Sequence, residues 1–306
     1  KINRIKLCTE NSGAQISSSL VTIREIHKIL KDEMYDVAIA FLSPSQLRLA
    51  IAKVGTKTKV IFSQRGDPYQ NNTSSLVYKL NRMAFENADF YVFQTERARD
   101  YYSDKIKKKS SVIANPIKPL KRTTERNPYT VEKKVVTVSR LDIHQKRQDI
   151  LIDAFKQFNK LHPDYTLHLF GDGPDRAQLE HLAADNLNII FEGETSNVAE
   201  AIQNAAMFVL TSDYEGIPNA LLEAMSLGLP CISTDCSPGG AMLLIQSGVN
   251  GYIIDCGDVN TLARKMDELA NNCEKAEMFG INAKYVCDAF SENSIKDKWQ
   301  DIIQSM

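Results

Sequence analysis

Apolar residues in this chain fall in short runs. The runs alternate with stretches in which apolar positions recur every three or four residues. Residues 36–42, 59–64, 89–94 and 111–113 read as buried strands. Between them Leu20, Ile23, Ile26, Ile29 and Leu30 have helical spacing, as do residues 46–54 and then Leu76, Leu80, Met83 and Phe85. Thr95 is placed to cap a helix running to about residue 104. Further on, strands are predicted at 135–138, 166–170, 188–191, 207–210, 231–233 and 251–254. Ile150, Leu151, Ala154, Phe155 and Phe158 make one apolar helix face among them. Such alternation predicts an α/β fold of parallel sheets flanked by helices, with the chemistry in loops at strand carboxyl ends.

The apolar signal lapses from residue 115 to residue 134, where Pro116, Pro119 and Pro128 fall among polar residues. This predicts a first domain over 1–115, an interdomain linker over 116–134 and a six-stranded doubly wound domain over 135–290. Ile295, Trp299, Ile302 and Ile303 give residues 291–306 the stripe of a terminal helix.

Composition narrows the class. At 306 residues, 43% hydrophobic and 25% charged, the chain has the make-up of a soluble globular protein. No apolar run approaches the roughly 20 residues of a membrane span, and no secretory h-region follows Lys1. Six scattered cysteines with no CxxC pair suggest reduced thiols and a cytoplasmic location. Cys231 and Cys236 have no histidines at ligand spacing, so they read as small core residues rather than a zinc site.

Charge divides the chain. Residues 1–128 hold 23 Lys and Arg against 12 Asp and Glu, and residues 129–306 hold 14 against 26. The basic part, sharpest at Lys105-Ile106-Lys107-Lys108-Lys109, is expected to face something anionic, such as the inner surface of the cell membrane. Nucleic acid is not expected, because no recognition motif or set of stacking aromatics accompanies the charge.

The candidate chemistry lies in loops. Residues 212–225 place Glu215 in a Gly/Pro loop after a strand, and Glu223 a turn inside a helix expected to be capped by Asn219 and stopped at Gly228. A helix N-terminus beside two carboxylates suits a ligand with both phosphate and polyol parts. The other reading is a short buried helix with two solvated acids at its rim. Arg140 and Lys146, after the strand at 135–138, are cations able to clamp a diphosphate. The turn Gly171-Asp172-Gly173-Pro174 lets backbone approach a ligand, Phe191 to Glu194 suits the wall beside a base, and Gly239-Gly240 opens a further helix. In the first domain, Ser63-Gln64-Arg65-Gly66-Asp67-Pro68 sets Arg65 and Asp67 at a strand end; an ordinary turn has the same composition.

Taken in order, Ser139-Arg140-Leu141 with Lys146, Gly171-Asp172-Gly173-Pro174, Glu215 and Glu223 around Gly-Ile-Pro-Asn, Pro238-Gly239-Gly240 and Asn250-Gly251 resemble the retaining family 4 glycosyltransferases of the GT-B fold. The match runs over roughly residues 112–290, and within the family it looks most like bacterial enzymes of capsule, exopolysaccharide or lipid-linked glycan synthesis. The resemblance implies two Rossmann-like domains, the first on the acceptor side and completed by the terminal helix. It implies that Arg140 and Lys146 bind the donor diphosphate and stabilise it as it leaves. Glu223 would hold the ribose, and Glu215 the donor sugar near the reacting carbon. Gly216, Ile217, Pro218, Asn219, Ala220 and Leu221 would meet sugar and phosphate through backbone, Gly171 and Gly173 would line the site, and Phe191 and Gly193 would lie by the base. A nucleotide sugar, most commonly a UDP-sugar, would pass its sugar with retention to a glycan or polyprenyl-linked acceptor, with no metal or other cofactor.

Two departures bear on this. The family often has a histidine in the acceptor-side loop, where this chain has Gln64-Arg65-Gly66-Asp67, so Arg65 or Asp67 is expected to take that role. The first domain is also short. Lys1 to Leu7 reads as starting partway through it, which predicts an incomplete acceptor half. The competing functions are a nucleotide-sugar-binding protein without turnover and a GT-B nucleotide-sugar 2-epimerase.

Overall fold

The computed structural model describes residues 15–70, 76–123 and 131–306. The expectation that the first domain begins incomplete rests on residues 1–7, outside the described residues. The chain divides into two compact units, Lys1–Ile113 with Lys298–Met306, and Ala114–Asp297.

In the first unit, α1 (Gln15–Asp32) leads to β1 (Val37–Phe41), α2 (Ser43–Ala52), β2 (Lys59–Ser63), α3 (Leu76–Phe85), β3 (Phe90–Phe93), α4 (Glu96–Asp100), α5 (Asp104–Lys107) and β4 (Ser110–Val112). The four strands are parallel, in the order β1-β2-β3-β4. Val60, Phe62, Phe85, Tyr91 and Phe93 centre the core. Thr95 caps as expected, its hydroxyl accepting from the Ala98 N–H at 3.1 Å. The single helix expected after it is two. The chain turns at residues 101–103, where the Tyr102 ring stacks on Phe85 at a centroid distance of 4.9 Å and packs tilted against Phe93 at 5.0 Å.

The second unit runs β5 (Glu132–Val138), α6 (Ile143–Lys146), α7 (Gln148–Asn159), β6 (Thr166–Phe170), α8 (Arg176–Ala183), β7 (Ile189–Gly193), α9 (Val198–Ile202), β8 (Ala205–Leu210), α10 (Asn219–Ser226), β9 (Cys231–Thr234), α11 (Gly240–Leu244), β10 (Tyr252–Ile254), α12 (Val259–Asn271), α13 (Cys273–Asp288) and the first residues of α14 (Glu292–Ser305). Its parallel sheet has the order β10-β9-β8-β5-β6-β7. Connectivity therefore reverses between β5 and β8, and in open α/β sheets the ligand crevice opens at the carboxyl ends of such a pair.

Three boundaries differ from the sequence reading. β5 starts at Glu132, inside the expected linker, because the Glu132 N–H pairs with Asn204 O at 2.8 Å. Residues 114–123 also belong to the second unit rather than forming a loose linker. The Ile117 N–H donates to Phe290 O at 2.8 Å, the Leu120 N–H donates to Ser226 Oγ at 3.0 Å, and Arg122 donates to the carbonyls of Gln203 and Leu227. A guanidinium in this position satisfies helix-end carbonyls that have no partner within their own helix. The rest of that segment, 124–130, lies outside the described residues. The return to the first unit falls at Lys298, within α14.

Candidate functional site

Two loops leave the sheet on either side of the reversal, 139–147 after β5 and 211–218 after β8. Hydrogen bonds join them. Gln145 O accepts from the Asp213 N–H at 2.9 Å, and Gln145 Nε2 donates to Tyr214 O at 3.1 Å. Thr211 Oγ1 donates to Lys146 O at 2.9 Å. The side chains then meet: Lys146 Nζ forms an ion pair with Glu215 Oε1, which also accepts from Ser212 Oγ at 3.0 Å. Both partners are mostly buried, so solvent screens the pair less than a surface bridge.

Local sequence explains why Lys146 points there. Leu141 is fully buried and anchors the loop, and the Asp142 carboxylate caps α6 by accepting from the Gln145 N–H at 3.2 Å. Arg147, between α6 and α7, is held at φ 51° in the left-handed region. Its guanidinium fixes that turn by reaching Asp149 through Nε and Nη2 at 3.1 Å each, and Asp213 through Nη1 at 3.0 Å. The two carboxylates raise the Arg147 pKa above its ordinary value, the Asp149 hydrogen bond most strongly, against an opposing effect of burial.

Arg140 is exposed at the β5 carboxyl end, and its side chain makes no hydrogen bond or ion pair among the described residues. Glu223 differs from Glu215. It lies half-buried on α10 with no partner for its carboxylate among the described residues, and burial alone raises its pKa. Asn219 is the first residue of α10 rather than its cap. Pro218 precedes the helix with no side-chain cap, because its fixed φ of −73° already sets the entry. The Asn219 and Ala220 N–H groups make no hydrogen bond among the described residues, leaving donors at the helix start. Ile217 and Leu221 bury their side chains in the core, so only their backbone is on offer.

The glycines act mostly on backbone. A Cβ at Gly171 (φ 124°) would fall 2.1 Å from Ser139 O, and one at Gly173 would fall 2.2 Å from Leu141 O. That turn is pressed onto the loop that carries Arg140. A Cβ at Gly240 would meet Gly216 O at 1.8 Å, and the Glu215 N–H donates to Ser237 O at 2.7 Å, so the 237–240 turn braces the Glu215 loop. Gly193 O accepts from the Gly171 N–H at 2.7 Å, and Phe191 is partly buried against the core. Cys231 and Cys236 are fully buried, and burial pushes the Cys236 thiol up to about 12. Among the described residues no cluster of three or more His, Cys, Asp or Glu is arranged to hold a metal ion.

Arg65 and Asp67 lie in the first unit, after β2. Arg65 sits over the Phe41 ring at 5.2 Å and the Trp299 ring at 5.8 Å, and burial pulls its pKa down to about 10, so it stays charged at neutral pH. Asp67 Oδ1 accepts from the Tyr69 N–H at 2.9 Å, while its Oδ2 is buried. Sequence reasoning missed Gln145, Arg147, Ser212 and Asp213. They have no spacing signal of their own, although Gln145 and Arg147 adjoin Lys146, and Ser212 and Asp213 lie within three positions of Glu215.

This geometry has a family counterpart. The sequence model of the family described as Glycosyl transferases group 1 matches residues 121–286, which takes in every loop of the second-unit site. The chain is a group 1 glycosyl transferase. A similar curated protein is the GalNAc-alpha-(1->4)-GalNAc-alpha-(1->3)-diNAcBac-PP-undecaprenol alpha-1,4-N-acetyl-D-galactosaminyltransferase of Campylobacter jejuni, 27% identical over 94% of this chain and 80% of that protein. Among solved structures, TarM of S. aureus in complex with Fondaparinux, alpha-GlcNAc-glycerol and UDP superposes with a TM-score of 0.76 at 22% identity. That superposition covers 94% of this glycosyltransferase and 59% of TarM, so the chain spans well under two thirds of TarM's length. Anabaena HepE in complex with UDP gives 0.79 at 19% identity, over 95% of this chain and 82% of HepE. These likenesses establish the fold as GT-B, with its two parallel sheets.

Proposed function

We propose that this glycosyltransferase moves a sugar from a nucleotide diphosphate donor, with UDP as the nucleotide, to a glycan or lipid-linked acceptor with retention of configuration. The observation that carries the donor assignment is the meeting of Lys146 and Glu215 at the β5/β8 reversal, flanked by Arg140 and Glu223, whose side chains have no partner among the described residues. Two cations and the N–H donors at the start of α10 suit the diphosphate. A desolvated carboxylate recovers its lost hydrogen bonds from the vicinal hydroxyls of ribose. Glu215, already tied to Lys146, holds a donor-sugar hydroxyl beside the leaving phosphate. The UDP in the TarM and HepE complexes and the diphosphate-linked lipid in the name of the Campylobacter relative support the nucleotide and the acceptor class.

In the reaction, the bond between the anomeric carbon and the diphosphate oxygen breaks and its electron pair stays on that oxygen. The acceptor hydroxyl attacks from the same face and passes its proton to the departing phosphate. Arg140 and Lys146 stabilise the charge that develops on the diphosphate, which is the main catalytic contribution. No described helix is long and apolar enough to cross a membrane. We propose that the basic first part of the chain docks on the inner membrane face, which would bring the enzyme to a lipid-linked acceptor.

Calorimetric titration with UDP tests the donor site. K146A and E223A are expected to weaken UDP binding by about tenfold each, while E215A keeps UDP affinity and loses turnover of the UDP-sugar. Wild-type affinity in both K146A and E223A would remove the site assignment. NMR of the product's anomeric proton during turnover reads retention directly.

A further inference from the structure

We propose that Phe41, braced by Arg65 and Trp299, is a stacking platform for a sugar ring of the acceptor; the proposal rests on the transferase reading above. All three residues belong to the first unit, at the carboxyl edge of its sheet, where ligands of parallel α/β sheets bind. Phe41 ends β1 with 47% of its surface exposed. Arg65 lies over it at 5.2 Å and over Trp299 at 5.8 Å, and the two rings are 6.1 Å apart. Arg65 Nη1 also donates to Ile113 O at 3.5 Å. Arg65 thus ties the Phe41 and Trp299 rings together.

The next residue adds a second, independent sign. Leu42 is 58% exposed and has φ 69° and ψ 145°, a region that side-chain-bearing residues rarely enter. It begins α2, its carbonyl accepting from the Ser45 and Gln46 N–H groups at 3.2 and 3.1 Å. Glycine would relieve that turn, yet the chain keeps an exposed leucine beside an exposed phenylalanine. Backbone held against its preference at a strand's carboxyl end is typical of ligand-contacting turns. Nearby polar atoms point the same way. Among the described residues, Ser63, in register with Phe41, is fully buried with no hydrogen-bond partner for Oγ, and Asp67 Oδ2 is likewise buried without one. Unmet buried polar atoms are rare and mark places arranged for a further partner.

An exposed apolar ring beside a cation matches a pyranose. Its C–H face packs on the ring's negative π-surface, and its hydroxyls or a linked phosphate meet the guanidinium.

The chain contains a single tryptophan, Trp299, so its emission reports on this platform alone. The experiment is a fluorescence titration of the protein with a panel of methyl glycosides, run beside a calorimetric titration with UDP. At least one glycoside is expected to shift Trp299 emission saturably, with F41L weakening that response about fivefold to tenfold and leaving UDP affinity unchanged. L42G is expected to raise the thermal midpoint, since it relaxes the turn, while weakening the glycoside response. That combination separates a ligand role from a folding role. UDP binding with Trp299 silent to every glycoside, or an F41L titration matching wild type, overturns the platform and leaves the donor reading standing. Absence of UDP binding overturns the donor reading, and the platform assignment with it.

Discussion

Glu215 and Glu223 are chemically identical and live in opposite environments. Glu215 is matched by Lys146, 69 positions earlier in the chain, and by Ser212. Glu223 has only burial acting on it, which raises its pKa and makes its ionised form a strain on the folded state. For a group raised in this way, the stabilising contribution is present below the unfolded pKa and is lost as pH climbs through the folded one. E223Q removes that loss. Its thermal midpoint is expected to equal or exceed wild type at pH 7, with the gap closing toward pH 4, while UDP affinity falls about tenfold. A lower midpoint together with unchanged affinity would make Glu223 a structural residue. The spacing of the two glutamates was legible in the sequence because strand, loop and helix N-terminus are local patterns. Their difference in partner was not, since it depends on a loop brought in from 69 positions away.

At the scale of elements, the left-handed Arg147 turn decides where Lys146 points. A non-glycine residue in this region costs on the order of 1–2 kcal/mol, and here the bonds to Asp149 and Asp213 offset it. R147G relieves the backbone and removes the clamp at once. It is expected to shift the thermal midpoint by only a few degrees and to lower turnover about tenfold to a hundredfold, through misplacement of Lys146. D213N should reproduce part of the loss, because it breaks only the tie to the 211–218 loop. Full turnover in R147G would show that the clamp does not position Lys146. Elements of this kind escape a sequence reading for a physical reason. The turn Gly171-Asp172-Gly173 reads equally as a ligand cradle or a plain turn. Only the 2.1 and 2.2 Å approach to Ser139 O and Leu141 O shows that its missing side chains serve backbone packing. Residues 114–123 likewise read as linker from their polarity, yet Arg122 and Leu120 fasten them to α10 and its neighbours.

Over the whole molecule, alternating apolar runs made the two parallel sheets readable, because the hydrophobic period is set by burial on both faces of each strand. The charge division was equally plain, and it sets the last prediction. The lysine run at 105–109 is not one solvated face. Lys107 pairs with Asp100 and Asp104, while Lys105, Lys108 and Lys109 are exposed and have no ion pair among the described residues. Lys105 and Lys109 border a small cavity together with Glu86, Tyr91, Ser103 and Ile106. These lysines should attract an anionic surface at a range set by a Debye length of ~10 Å at 0.1 M salt. The protein is expected to sediment with vesicles containing phosphatidylglycerol and not with pure phosphatidylcholine. Binding should fall steeply as salt rises from ~50 mM to ~500 mM, and the triple variant K105E/K108E/K109E should lose most of it. Lys107 is left in place so that its pairing with Asp100 and Asp104 keeps α5 intact. Binding that ignores anionic lipid content or salt, or that survives the triple variant, would separate the basic character of the first 128 residues from any membrane role.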